Sequence, residues 1–141
     1  MRDIVRELSR DPIADADREG DFQVRVGSAA VYIRPMDDMP GVAIFSPVLT
    51  KLEPSDLVLR EINELNRHVR FARLLAVDNA VIAATEVHAE PFIWPAVQQA
   101  ITGLLHFADD LDNRLQAKIG GTLASGETLA SPDARPAAGY L

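Results

Sequence analysis

The spacing of apolar positions changes several times along the chain. Phe22, Val24 and Val26 alternate with Gln23 and Arg25, the two-residue period of a half-buried strand. Gly27-Ser28 turns the chain into Ala29 to Arg34 (AAVYIR), and so short a connection predicts an antiparallel hairpin rather than a crossover. Beyond the turn-forming stretch Met36 to Gly41, Val42 to Leu49 (VAIFSPVL) predicts a third strand. Its Pro47 cannot donate to a ladder, so that end belongs at an edge or a bulge. The period then lengthens. Pro54 suits a first helical residue, and Val58, Ile62, Leu65 and Val69 share one side of a helix running to about Val69. Arg70 to Val77 and Ala80 to His88 flank Asp78-Asn79, which predicts a tight hairpin of strands four and five. A long helix over 92–119 follows, with a seam of Trp94, Val97, Ile101, Leu104, Ala108, Leu111 and Leu115, and Pro95 sits harmlessly in its first turn.

The ends are less regular. Residues 1–10 predict a short helix with Ile4, Val5 and Leu8 on one side, and the acidic stretch from Asp11 to Asp21 predicts a loop. Gly120-Gly121 is a plausible helix stop. Residues 122–141 show no repeating face and read as a disordered tail on a single domain spanning 1–121. The expected fold is α+β: a five-stranded antiparallel sheet with helices mainly on one face, in the order α-β-β-β-α-β-β-α.

Length and charge narrow the function. At 141 residues there is room for one domain. A net charge of −7 and the lack of a basic patch disfavour nucleic acid as a partner. There is no cysteine, which removes disulfides, thiolate nucleophiles and sulfur-bound zinc. The N-terminus, MRDIVRELSRD, is too charged for a signal-peptide core, and Pro91 to Ala108 is too polar for a membrane span. The expected location is the cytoplasm, with no membrane partner.

Candidate chemistry is sparse. His88-Ala89-Glu90 matches half of a zinc deaminase signature whose other half needs cysteines. Asp109, Asp110 and Asp112 could suggest a carboxylate metal site. They fit a solvated helix face more simply, with Asp110 four residues before Arg114. His68 and His106 lie on different predicted helices, with no nucleophile placed beside either. Asp37 and Asp38 sit in a turn, where aspartate is common for its own hydrogen bonds. Neither phosphate-binding glycine pattern occurs. No catalytic residue, cofactor or metal is expected. The rival to a binding module is a small metal-dependent enzyme built on Asp37, Asp38 or the Asp109 to Asp112 group, and a third reading is a purely structural dimeric domain.

Leu59 to His68 (LREINELNRH) runs into the strand RFARLLAV, then AVIAATEVHAEPF, then a long helix carrying Ala108-Asp109-Asp110-Leu111-Asp112 near its end. This order resembles the type III secretion chaperone-like superfamily, particularly its YbjN branch, common in bacteria as small free-standing domains. The recurring family stretches match Ile62, Asn63, Asn66, Ala108, Asp109 and Asp112. The resemblance covers about residues 20–119. It implies a fold built for binding without a shared catalytic centre, often a homodimer that holds an extended segment of a client protein. The predicted N-terminal helix, where such chaperones often carry client-binding hydrophobics, offers only Ile4, Val5 and Leu8.

Strands four and five are apolar on both sides. Phe71, Leu75 and Val77 alternate with Ala72, Leu74 and Ala76, and Ala80, Ile82 and Ala84 with Val81, Ala83 and Val87. A sheet with one wet face would alternate cleanly. The face turned away from the helices is therefore expected to be covered by a second protomer or a bound segment. Phe71, Leu75, Val77 and Ile82, together with Ile4, Val5 and Leu8, are the candidate partner-binding or dimer residues.

Overall fold

The structure is a computed structural model that describes residues 20–26, 29–88 and 93–124. The predicted N-terminal helix, with Ile4, Val5 and Leu8, lies outside the described residues. Six strands and two helices are described: β1 (Phe22–Val26), β2 (Ala29–Pro35), β3 (Gly41–Thr50), α1 (Asp56–Asn66), β4 (Arg73–Val77), β5 (Ala80–His88), α2 (Trp94–Ile119) and β6 (Thr122–Leu123). All strand pairs are antiparallel, in the order β1-β2-β3-β5-β4, with β6 also on β3.

β3 is the centre of the sheet, and every residue from Val42 to Leu49 is buried. An antiparallel strand reads as a continuous apolar run only when both its faces are covered. The one polar residue of that buried run, Ser46, is satisfied because its hydroxyl donates to the Ala30 carbonyl at 2.9 Å. Of the two places allowed for Pro47, the sheet uses the bulge. Pro47 stands opposite Ile82 and Leu49 opposite Val81, so Val48 is an extra residue without a partner on β5.

On one face, Val31, Ile33, Val42, Ile44, Leu49, Leu74, Val81 and Ala83 meet Val58 and Ile62 of α1 and Val97, Ile101, Leu104, Ala108, Leu111 and Leu115 of α2. Both described helices thus pack on the same side. The predicted seam of α2 is the buried face as drawn, with Trp94 half-buried at its start.

Three boundary differences have a local reason, and β4 also begins at Arg73 rather than Arg70. α1 starts at Asp56 rather than Pro54, because the Ser55 side chain caps it by accepting from the Val58 N–H at 3.3 Å. It stops at Asn66, short of Val69, because the Asn66 amide is committed to β4. The chain continues the sheet past Gly121, where the tail was expected to begin. Gly120 and Gly121 both take positive φ, +79° and +84°, and fold the chain back onto β3. Leu123 pairs with Leu49, Thr122 with Thr50, and the Ala124 N–H donates to the Val48 carbonyl at 3.2 Å. The sheet therefore has six strands rather than five, and residues 125–141 lie outside the described part.

Candidate functional site

The far face of the sheet carries Ala30, Tyr32, Phe45, Ala80, Ile82 and Ala84 as a second apolar cluster, with Leu75 and Val77 packed at its margin. Tyr32 stacks on Phe45 with ring centroids 5.4 Å apart. The Arg34 guanidinium lies 5.2 Å from the Phe45 ring centroid and forks onto buried Asp21 through Nε at 2.7 Å and Nη2 at 2.9 Å. A bidentate arginine clamp over an aromatic face suits a buried charge. Ile82 and Phe45 are 0% exposed within the single chain. The centre of this face is therefore not an open patch, and of the four strand candidates only Leu75 and Val77 keep partial exposure on it.

Phe71 departs from the face it was assigned by alternation. β4 begins at Arg73, and Phe71 lies on the helix side, edge to face with Phe107 of α2 at 5.8 Å. The Thr85 hydroxyl donates to the Phe71 carbonyl at 2.7 Å, which turns the chain off the ladder and breaks the strand parity. At 52% exposure Phe71 is among the large apolar side chains open to solvent, with Leu57 and Leu59 of α1. It helps to line a groove of about 520 Å³ between β5 and α2, along with Val87, Ala96, Gln99, Ala100 and Gly103.

The edge strand β4 is partly closed by a side chain. The Asn66 amide donates from Nδ2 to the Leu74 carbonyl at 3.0 Å, and its Oδ1 accepts from the Leu74 N–H at 2.7 Å. The amide does what a neighbouring strand would do, which blunts an edge otherwise open to pairing. The matching family stretch contains Asn66 but gives it no role. Replacing it with alanine is expected to cost about 1–2 kcal/mol, the net worth of two hydrogen bonds, measured by urea unfolding. An unchanged midpoint would remove the clamp as a structural feature. In the other matching stretch, Ala108 and Leu111 are buried in the core while Asp109 and Asp110 are exposed, so the pattern marks helix packing.

No group of three histidine or acidic side chains among the described residues is arranged to hold a metal ion. His68 is exposed and pairs with Glu64 at 3.2 Å, and Asp37, Asp38 and His106 are exposed. The Glu64 carboxyl is held below its ordinary value of 4.5, first by the Arg67 hydrogen bond at 2.9 Å and then by that of His68. A depressed carboxylate contributes its stabilisation above the ordinary pKa and loses it as pH falls through the lowered one. Carbon-detected titration is expected to find the Glu64 midpoint below that of glutamate in the unfolded chain, and Arg67→Ala is expected to raise it. An unmoved midpoint in that variant would refute the assignment.

The family model described as "T3SS (YopN, CesT) and YbjN peptide-binding chaperone 1" matches residues 1–127. The chain belongs to this family. Two solved structures share the chaperone fold with it. The crystal structure of the ExsC-ExsE complex aligns with a TM-score of 0.64 at 15% identity, over 80% of this chain and 93% of the other. The structure of the HopA1-SchA chaperone-effector complex aligns with a TM-score of 0.58 at 17% identity, over 79% and 89%. No curated protein matches the chain. The family membership agrees with the resemblance carried by Ile62 to Asn66 and Ala108 to Asp112, and these chaperones are non-catalytic binding proteins.

Proposed function

We propose that this chain is a non-catalytic chaperone that holds an extended segment of a client protein, acting as a homodimer in the cytoplasm. The observation that carries the reading is the peptide-binding chaperone family match across residues 1–127. The solved relatives add that this fold is found in complexes of a chaperone with an effector. Exposed Leu57, Leu59 and Phe71 are apolar groups of the kind that a partner covers. No described helix is long and apolar enough to cross a membrane.

The client part is tested by affinity capture from the native cell extract, followed by limited proteolysis of the captured complex. The expected result is a stoichiometric partner with one segment protected only while the chaperone is present. A capture without such a protected segment, or a tight one-to-one magnesium, manganese or calcium site by calorimetry, overturns the reading. Homodimerisation is tested separately by light scattering, which is expected to give twice the chain mass of 15.4 kDa. A mass of one chain at micromolar concentration would count against the dimer and leave the client reading intact.

A further inference from the structure

The outward side of α2 changes character halfway along. From Ile93 to Ala108 the sequence holds no Asp, Glu, Lys or Arg, and the exposed positions are Ile93, Pro95, Gln98, Gln99, Thr102 and His106. Beyond Ala108 the same side carries Asp109, Asp110, Arg114 and Lys118, all exposed. Charged residues are the ordinary occupants of an exposed helix face, so their absence over about four turns sets the first half apart. That half also has relief. Pro95, Gln98, Gln99, Thr102, Gly103 and His106 line an open hollow of about 420 Å³. Glycine is a poor choice inside a helix, and among the described residues nothing excludes a side chain at Gly103, where a Cβ would meet the Phe71 ring at 3.5 Å, an ordinary contact. What the missing side chain leaves is room for a close approach from outside.

We propose that two copies of this chain meet through the first half of α2, crossing antiparallel with Gln99 on the two-fold axis, so that Pro95 of each copy enters the hollow over Gly103 of the other. The proposal rests on the proposed homodimer and gives that dimer a surface. Gln99 lies near the middle of the uncharged span, so a crossing there sets uncharged residues against uncharged ones and leaves Asp109 and Asp110 beyond the start of the partner helix. Pro95 and Gly103 stand four residues to either side of Gln99, on one helix face, which brings the exposed ring of one copy onto the open glycine of the other. A chain of net charge −7 repels its own copies, and the repulsion is least where neither surface carries charge. The polar groups favour a copy over an unrelated protein. A carboxylate or ammonium on a two-fold axis meets its own like, whereas a glutamine amide or a threonine hydroxyl both donates and accepts and can pair with itself. The contact is modest in size. The hollow and the adjoining groove share Gln99 and Gly103 and together engage about a dozen residues, against the roughly 20–30 a side of a standard interface. Dissociation is therefore expected in the micromolar rather than the nanomolar range.

Charge placed at residue 99 supplies the test. Sedimentation equilibrium from about 1 to about 300 µM is expected to show the wild-type mass rising from 15.4 kDa toward twice that value. Gln99→Glu and Gln99→Lys each set like charges across the axis, and each is expected to weaken association by about tenfold or more. Both are expected to keep the wild-type circular dichroism and melting temperature, because the position is exposed. Mixed in equal amounts, the two variants are expected to recover a dimer at least as tight as the wild type, since the axis then joins a glutamate to a lysine. Gly103→Leu fills the hollow that receives Pro95 and is expected to weaken association by a similar factor in a chain that still folds, its helix being the better for losing the glycine. A wild-type dimer that the charged variants leave intact, or a mixture no tighter than its two parts, overturns this surface while the homodimer stands. A wild-type chain that keeps one mass at every concentration overturns the surface and the homodimer together. A single mass with Gln99→Glu amide shifts that extend into residues 125–141 overturns the proposal as well, and assigns the face to the chain's own C-terminal segment.

Discussion

Replacing Phe45 with alanine is expected to remove about 3–5 kcal/mol of unfolding free energy, the usual cost of deleting a buried aromatic ring. That is a large part of the roughly 5–15 kcal/mol that holds a domain of this size together. Phe45 is fully buried, stacks on Tyr32 and lies beneath Arg34. Its loss leaves a cavity in the middle of the far face and strips the guanidinium of its aromatic support. Urea unfolding followed by circular dichroism reads the effect. Met39→Ala, at a 40% exposed turn position, is the control and is expected to shift stability by less than about 0.5 kcal/mol. Equal midpoints for the two variants would mean that the far-face cluster contributes nothing to the fold.

The second large effect is expected at the turn after α2. Gly121 has φ of +84°, and a Cβ there would stand 3.1 Å from the Thr50 carbonyl oxygen and 3.2 Å from Leu52 Cδ1. Valine is a poor fit on both counts, so Gly121→Val is expected to cost about 2–3 kcal/mol. The chain has one escape, which is to let β6 leave β3, and the cost cannot exceed what that pairing contributes. Hydrogen exchange reads this directly through the Ala124 amide, bonded to the Val48 carbonyl. It is expected to lose protection while Leu104 in α2 keeps its own. Gly20 shares the positive φ, +85°, but has nothing within 4 Å of its would-be Cβ, so Gly20→Ala isolates the backbone contribution from the steric one. Retained protection at Ala124 in Gly121→Val would show that the turn tolerates the side chain.

Much of this architecture is written in local periodicity. The seam from Val97 to Leu115 is buried as its spacing of three and four requires, and the apolar run of β3 announces a strand covered on both faces. Other features depend on partners distant in the chain. Pro47 permits an edge or a bulge, and only the register with Ile82 and Val81 decides between them. β6 has two residues, too few for any period, and its partner Leu49 is far upstream. Phe71 fits the alternation of strand four, yet one hydroxyl from Thr85 takes it to the other side of the sheet. The candidate groove was hidden for the same reason. It exists because β4 is shorter than β5, and strand length at an edge is set by what the next segment of chain is tied to. Asn66 gives a faint signal, an asparagine at a helix end seven residues before β4, but nothing in its spacing names Leu74 as its partner.

The placement of β6 also sets how the domain bears a mechanical load. Tension drawn through the segment after Leu123 enters the sheet at the end of β3, on two residue pairs that open one after the other. Those pairs part like a zipper. Only when they have parted does the pull reach the C-terminal turn of α2, where Leu115 is locked into the core. A pull on that end is thus met by a short extensible link ahead of a stiff body.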